Sequence, residues 1–257
     1  MKKIVFFDID GTLLDHDKKL PESTKKAIIQ LKNNGVFVAI ATGRAPFMFK
    51  DLREELEIDS YVCFNGQYVV FENEVIYTNP LNQKELEKLI DNSKNNRHPI
   101  VFLNEEKMTA NTETHPFVKT SMESLKIDSP EFNPSFYKNK EIYQALLFCE
   151  EMDEDLYLTD YQAFNFIRWH EFSMDVIPSG GSKAEGIKIL IEKIGFNIDD
   201  VFAFGDGLND IEMLETVGTG IAMGNASETV KKYADYITSD VSDAGIYRGL
   251  RHFNFIV

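Results

Sequence analysis

Ile4-Val5-Phe6-Phe7 sets large apolar side chains in unbroken succession and stops at Asp8. A strand with one wet face would alternate apolar and polar residues. An unbroken run suits a strand covered on both faces, as in a parallel sheet. The pattern recurs. Val36-Phe37-Val38-Ala39-Ile40-Ala41 ends at Thr42-Gly43-Arg44, Tyr61-Val62-Cys63-Phe64 at Asn65-Gly66, and Val201-Phe202-Ala203-Phe204 at Gly205-Asp206. Gly220-Ile221-Ala222-Met223 and Tyr236-Ile237-Thr238 add two more runs of the same kind. Helical spacing lies between them: Ala27, Ile28 and Leu31 in 21–32, a stretch reaching to about Glu57, Ile187, Leu190, Ile191 and Ile194 in 183–195, and a segment through Tyr233. Parallel strands need crossover helices, so the expectation is a doubly wound α/β sheet.

The rhythm breaks after Gly66. Residues 67–77 alternate as a β-hairpin turning at Glu72-Asn73-Glu74. From Leu81 to Pro178 the pattern predicts helices at 83–95 and 116–125, and strands at 100–103, 107–111, 142–148, 163–169 and 172–176. A Pro/Asn-rich loop at 130–139 interrupts them. This block is α+β with antiparallel character. The expected organisation is a core from 1–80 and 179–257 interrupted by an inserted α+β cap at 81–178.

With 257 residues, 43% of them hydrophobic and 12% aromatic, the chain can fill such a core, and disorder is excluded. Its 42 acidic residues against 27 basic ones leave a charge of -15. That field repels nucleic-acid phosphates and anionic lipid, so neither is an expected partner. It repels phosphorylated metabolites too, so any phosphate site must bring its own positive charge. Cys63 and Cys149 sit in apolar runs without a CxxC pair, which predicts buried free thiols in a reducing cytoplasm. No apolar run approaches the roughly 20 residues that span a bilayer, and the Met1-Lys2-Lys3 start leads into too short an apolar stretch for a signal peptide.

Open α/β sheets collect ligands at the carboxyl ends of their strands. Those ends here carry Asp8 and Asp10, then Thr42-Gly43-Arg44, then Asp206, Asn209 and Asp210, and Lys183 opens a helix on the same side. Asp8, Asp10 and Asp206 form an all-oxygen set that suits a hard cation such as Mg²⁺ rather than zinc. The ion neutralises the carboxylates and lets a phosphate dianion approach. Asp8 can then attack phosphorus to give an aspartyl-phosphate. Asp10, two residues on, can give a proton to the leaving oxygen and later take one from water. Lys183, the Thr42 hydroxyl and backbone N–H groups near Asp10 and Gly43 stabilise charge on the phosphoryl oxygens.

Asp8-Ile9-Asp10-Gly11-Thr12-Leu13 resembles the first signature of the haloacid dehalogenase superfamily. Thr42, Lys183 and Gly205-Asp206-Gly207-Leu208-Asn209-Asp210 match its later signatures in order. Ala41-Thr42-Gly43-Arg44, Asn65-Gly66 and the inserted block are similar to the Cof-like phosphatases. The resemblance implies a Mg²⁺-dependent phosphatase acting on small phosphorylated metabolites, with the insert as a cap that selects the substrate. It implies that Asp8 and Asp206 bind the ion through side chains and Asp10 through its backbone carbonyl. Thr42, Gly43, Lys183 and Asn209 would hold phosphate, and Asp210 would support the metal site.

Other readings remain open. A phosphotransferase or phosphomutase uses the same residues, and a non-catalytic phosphometabolite-binding protein could be built on the same fold. Asp-Gly-Thr after a strand also makes an ordinary turn. A calcium loop starting at Asp206 lacks its Glu, because the twelfth position is Val217. His115 and Arg168-Trp169-His170 in the insert are candidates for substrate contact.

Overall fold

A computed structural model describes residues 3–257; Met1 and Lys2, with which the expected core opens, lie outside the described residues. The first part of the chain runs β1 (Ile4–Phe7), α1 (Glu22–Asn33), β2 (Phe37–Ala41), α2 (Lys50–Glu55), β3 (Tyr61–Cys63), β4 (Tyr68–Phe71) and β5 (Glu74–Thr78). Next come α3 (Gln83–Asn95), β6 (Ile100–Leu103), β7 (Met108–Ala110), α4 (Pro116–Ser124), β8 (Glu131–Phe132), β9 (Gln144–Leu147), α5 (Asp155–Leu158), β10 (Phe164–His170) and β11 (Ser173–Pro178). The last part holds α6 (Lys183–Ile194), β12 (Val201–Gly205), α7 (Ile211–Thr216), β13 (Thr219–Ala222), α8 (Glu228–Lys231), β14 (Tyr236–Ile237) and α9 (Gly245–His252).

The described residues fall into two compact units. One comprises the described residues up to Arg44 with Met48–Tyr77 and Ser182–Val257; the other is Ala45–Phe47 with Thr78–Gly181. In the first unit eight strands form a sheet in the order β14-β13-β12-β1-β2-β3-β4-β5. The strands from β14 to β3 pair in parallel, and β4 adds antiparallel to β3. The fold class is α/β, as the unbroken apolar runs predict.

Those runs are apolar throughout because both sheet faces are covered. Ile4 and Phe6 of β1 join Ile187, Leu190 and Ile191 of α6 and Met213 and Leu214 of α7 in one cluster. Phe7 points the other way and stacks on Phe204 with ring centroids 5.0 Å apart. Gly249 of α9 approaches the ring of Phe204 on that face. Each large apolar side chain withdrawn in this way contributes about 1.5–3 kcal/mol. Helix α6 has a sharp start and stop. The Ser182 hydroxyl accepts from Glu185 N at 3.2 Å, and Gly195 ends the helix in the left-handed region with φ 75°. Lys183 is thereby the first residue of the helix.

The second unit holds a sheet in the order β10-β11-β9-β6-β7-β8. Its pairs are antiparallel except β7 with β8. Asn82 caps α3, accepting from Lys84 N and Glu85 N. Leu86 and Leu89 of α3 join Ile100, Phe102, Ala145, Leu147 and Val176 in a buried cluster. Cys63 and Cys149 are free and buried, as expected from their apolar surroundings.

Three local expectations need correction. The stretch predicted to be helical up to Glu57 is a 3₁₀ turn at Pro46–Phe49 and a short helix ending at Glu55. The helix predicted through Tyr233 stops at Lys231. The chain also does not finish on its last strand: α9 follows, and the sequence reading missed it. Gly245 and Gly249 lower its intrinsic helicity, and it starts from Ala244 at φ 54° without a side-chain cap. Burial of Ile246 and Leu250 holds it in place.

Helix α6 lies so close to β3 that Gly186 has no room for a side chain. A Cβ there would stand 2.4 Å from Val62 Cγ1 and 2.8 Å from Gly66 Cα. Gly186→Ala is expected to destabilise the protein by about 1–3 kcal/mol, the usual range for overpacking. A urea titration checks this, and an unchanged midpoint would contradict the close approach.

Candidate active site

The chain leaves β1 at Asp8, whose N–H still donates to Phe204 O at 3.0 Å. It then folds back on itself. Leu13 N donates to Asp8 O (3.2 Å), Leu14 N to Ile9 O (2.8 Å) and Gly11 N to Leu14 O (2.9 Å). Gly11 permits this turn with φ 80°, and a Cβ there would lie 2.2 Å from Asp206 Oδ2.

Lys183 reaches the same point from the start of α6. It is 1% exposed, and its Nζ donates to Asp8 Oδ1 and to Asp210 Oδ1, each at 2.6 Å. Asp210 is also fully buried, and its Oδ2 accepts from Asp206 N (3.0 Å) and Gly207 N (2.9 Å). Asp206 in turn accepts the Thr12 hydroxyl on Oδ1 (3.0 Å) and Asn225 Nδ2 on Oδ2 (3.1 Å). The Asn225 amide also donates to Gly11 O (2.8 Å) and accepts from Val241 N (3.0 Å), tying the β1 turn to the end of β13.

Asp10, two residues from Asp8, belongs to a separate network. Arg44 Nε donates to its Oδ2 (2.8 Å) and Arg44 Nη2 to its Oδ1 (2.6 Å), and Lys18 Nζ also donates to Oδ1 (2.5 Å). A third thread holds the phosphate-site candidates. Thr42 Oγ1 accepts from Arg44 N (3.1 Å), and Thr42 O from Asn65 N (3.1 Å). Gly43 faces the Asn65 side-chain amide, and Asn209, an exposed residue, donates to Asn65 Oδ1 at 3.4 Å.

The sequence candidates thus gather at the strand ends of one unit. Asn225 and Lys18 were missed. Asn225 follows the strand at 220–223, whose carboxyl end carries Gly224-Asn225 and went unread for ligands. Lys18 gives no sequence signal, being one lysine among several in an exposed loop. His115 and Arg168-Trp169-His170 lie in the other unit. There His115 accepts from Phe117 N at the start of α4, His170 meets the Ser121 hydroxyl at 3.0 Å, and Arg168 donates to Glu154 and to backbone carbonyls.

Charge is out of balance around Asp8. Asp8, Asp206 and Asp210 each offer a carboxylate oxygen within 4.8 Å of the others, and one ammonium serves them. Burial, with the neighbouring carboxylates of Asp210 and Asp206, pushes the Asp8 carboxyl up to about 8 although Lys183 opposes it. Burial and Asp210 likewise raise Asp206 to about 6. Burial alone would depress the Lys183 amine, but the two carboxylates it touches lift it above its ordinary value. Asp10 goes the other way: burial raises it, and Arg44 with Lys18 outweighs burial and holds it below the usual carboxylate range. A compact group of carboxylates with unneutralised charge and only oxygen donors fits a hard divalent cation.

The model of the haloacid dehalogenase-like hydrolases matches residues 5–250. The chain belongs to the haloacid dehalogenase-like hydrolase family. Among its relatives is YkrA of Bacillus subtilis, provisionally named a phosphatase, 49% identical over 99% of this chain and 98% of its own. YcsE of the same organism, named as a 5-amino-6-(5-phospho-D-ribitylamino)uracil phosphatase, is 29% identical over 98% of this chain and 95% of its own. A crystal structure of a hypothetical protein from Geobacillus kaustophilus superposes with a TM-score of 0.96 at 56% identity, covering 100% of both chains. The resemblance to Cof-like members of this family stands, and the chain is a phosphatase enzyme of haloacid dehalogenase type. Among the described residues no helix is long and apolar enough to cross a membrane.

The raised Asp8 and Asp206 carboxyls keep protons in the folded chain that they lose in the unfolded one. Metal-free stability from these groups is therefore present near pH 4 and is lost as the pH rises through about 6 and about 8. In EDTA, Asp8→Asn is expected to gain on the wild type as the pH is raised from about 5 to about 8. Urea midpoints at both values check this, and a constant or reversed gap would refute the charge crowding.

Proposed function

We propose that this phosphatase hydrolyses phosphomonoesters of small metabolites, sugar phosphates or phosphorylated cofactors, through a phosphorylated Asp8 and with Mg²⁺. The observation that carries the reading is the Asp8 carboxylate, held at a strand end by buried Lys183 with Asp206 and Asp210 close by. Lys183 takes Oδ1 of Asp8, which leaves Oδ2 for attack on phosphorus.

Mg²⁺ would be held by the Asp8 and Asp206 carboxylates and the Asp10 carbonyl, and it would supply charge neutralisation and polarise a phosphoryl oxygen. Lys183 adds the local positive charge that the acidic chain otherwise lacks. The Thr42 hydroxyl, Gly43 and Asn209 orient the remaining phosphoryl oxygens. As the Asp8 oxygen bonds to phosphorus and the ester P–O bond breaks, Asp10 gives a proton to the departing alcohol. Asp10 then takes a proton from water, which attacks the aspartyl-phosphate and restores Asp8. Asp210 keeps Lys183 and the turn at Asp206-Gly207 in place.

The inserted residues 81–178 act as the cap that chooses among substrates. The name of YcsE, which gives a phosphoribityl compound as its substrate, supports a phosphorylated sugar or cofactor precursor here. The free, buried cysteines support action in the reducing cytoplasm.

Phosphate release from p-nitrophenyl phosphate and a panel of phosphometabolites is expected with Mg²⁺ and is expected to vanish in EDTA. Release that persists in EDTA would refute the metal assignment, and a new phosphoester in place of free phosphate would make the protein a transferase. Asp8→Asn is expected to lose at least about 10³-fold in kcat while staying folded. Near-normal turnover in that variant would rule out the covalent route.

A further inference from the structure

The Asp206 carboxylate is held at both oxygens. Oδ1 accepts the Thr12 hydroxyl at 3.0 Å, and Oδ2 accepts Asn225 Nδ2 at 3.1 Å. Each oxygen keeps a further lone pair to offer a cation. Asn225 does more than this. Its Nδ2 also donates to Gly11 O at 2.8 Å, and its Oδ1 accepts from Val241 N at 3.0 Å. Both N–H groups and the amide oxygen therefore have partners. The amide cannot be turned over, because its oxygen would then face two other oxygens.

The residue stands on a firm mount just past the end of β13. Met223 N donates to Gly205 O (2.9 Å), Gly224 N to Ser239 O (2.9 Å) and Ala226 N to Met223 O (3.0 Å). Since β13 pairs with β12, with Ala222 opposite Gly205, Asn225 lies beside the strand end that delivers Asp206. On its other side it fixes the β1 turn. Gly11 N donates to Leu14 O, and the Asp10–Gly11 peptide is trans, so the Asp10 carbonyl is directed away from Leu14. The bond from Asn225 to Gly11 O fixes the next peptide. One amide thus holds the backbone beside the Asp10 carbonyl and the side chain of Asp206 at a set separation.

We propose that Asn225 is a positioning residue that spaces Asp206 and the β1 turn for a small divalent cation, and so favours Mg²⁺ over the larger Ca²⁺. The inference rests on the reading of Asp206 and the Asp10 carbonyl as ligands of the ion. Mg²⁺ demands near-octahedral ligands at about 2.0–2.1 Å, whereas Ca²⁺ accepts looser arrangements at about 2.3–2.6 Å. Loss of the spacer therefore weighs more heavily on Mg²⁺. Asn225 acts only through its two partners, as the hydrogen-bonding neighbours of metal ligands generally do.

Calorimetric titration of the metal-free full chain with MgCl₂ and with CaCl₂ tests this. Asn225→Ala is expected to raise the Kd for Mg²⁺ by about 10–100-fold and the Kd for Ca²⁺ by only a few-fold. The Mg²⁺ concentration that gives half-maximal turnover of p-nitrophenyl phosphate is expected to rise with the Mg²⁺ Kd, and saturating Mg²⁺ to recover much of the lost turnover. An unchanged Mg²⁺ affinity would overturn the proposal and leave Asn225 a structural contact. Equal losses for the two ions would also overturn it, since general loosening of the fold weakens both alike. Either result, with Mg²⁺ bound by the wild type, leaves the metal reading intact. A wild type that binds no Mg²⁺ would remove that reading and this proposal together. Should Asn225→Ala fail to fold, Asn225→Ser, which keeps one hydrogen-bonding group and loses the amide, carries the same comparison.

Discussion

The Lys183 ammonium, buried between Asp8 and Asp210, is the contact on which the rest of the site depends. A buried lysine is costly unless its charge is met, and here two carboxylates meet it within hydrogen-bond distance. The same contact joins the end of β1, the start of α6 and the turn after β12. Remove the ammonium and three carboxylates face one another without a counter-charge. Keep it and the local charge is still negative, the condition in which a divalent cation has most to neutralise.

Precision in this arrangement comes from backbone as much as from side chains. Asp210 spends one oxygen on two N–H groups of its own turn and the other on Lys183, so it works as a brace. Asn225 spans Gly11 and Asp206, which lie far apart in the chain. Thr12 closes the same gap from the other side. The acid groups differ in environment by design of the fold. Asp8 shares its one cation with Asp210 and has the Asp206 carboxylate close by, whereas Asp10 has two cations to itself. Carboxyls two residues apart are thereby pushed in opposite directions, and a cation bound beside Asp8 would favour its ionised, nucleophilic form.

Much of this was legible beforehand because parallel-sheet physics writes itself into sequence. A strand buried on both faces must be apolar throughout, and a ligand site at its carboxyl end must begin where that run stops. Asp8, Thr42 and Asp206 were readable for that reason. The second unit was legible as alternating strands and spaced helices. His115, Arg168 and His170 looked chemically rich and are engaged in hydrogen bonds within their own unit. The last helix was invisible because its glycines argue against a helix, and only burial of Ile246 and Leu250 overrides them.

The sequence by itself determined the sheet class, the order of the strand ends and the kinds of oxygen and nitrogen groups delivered there. Those follow from local periodicity and from hydrophobic burial, which act over a few residues. Tertiary structure alone decided the pairings: which carboxylate shares Lys183, that Arg44 and Lys18 close on Asp10, and that Asn225 bridges Gly11 to Asp206. Hydrogen bonds and ion pairs act over about 3 Å, and partners separated by up to 214 positions come within that reach only when the sheet is assembled.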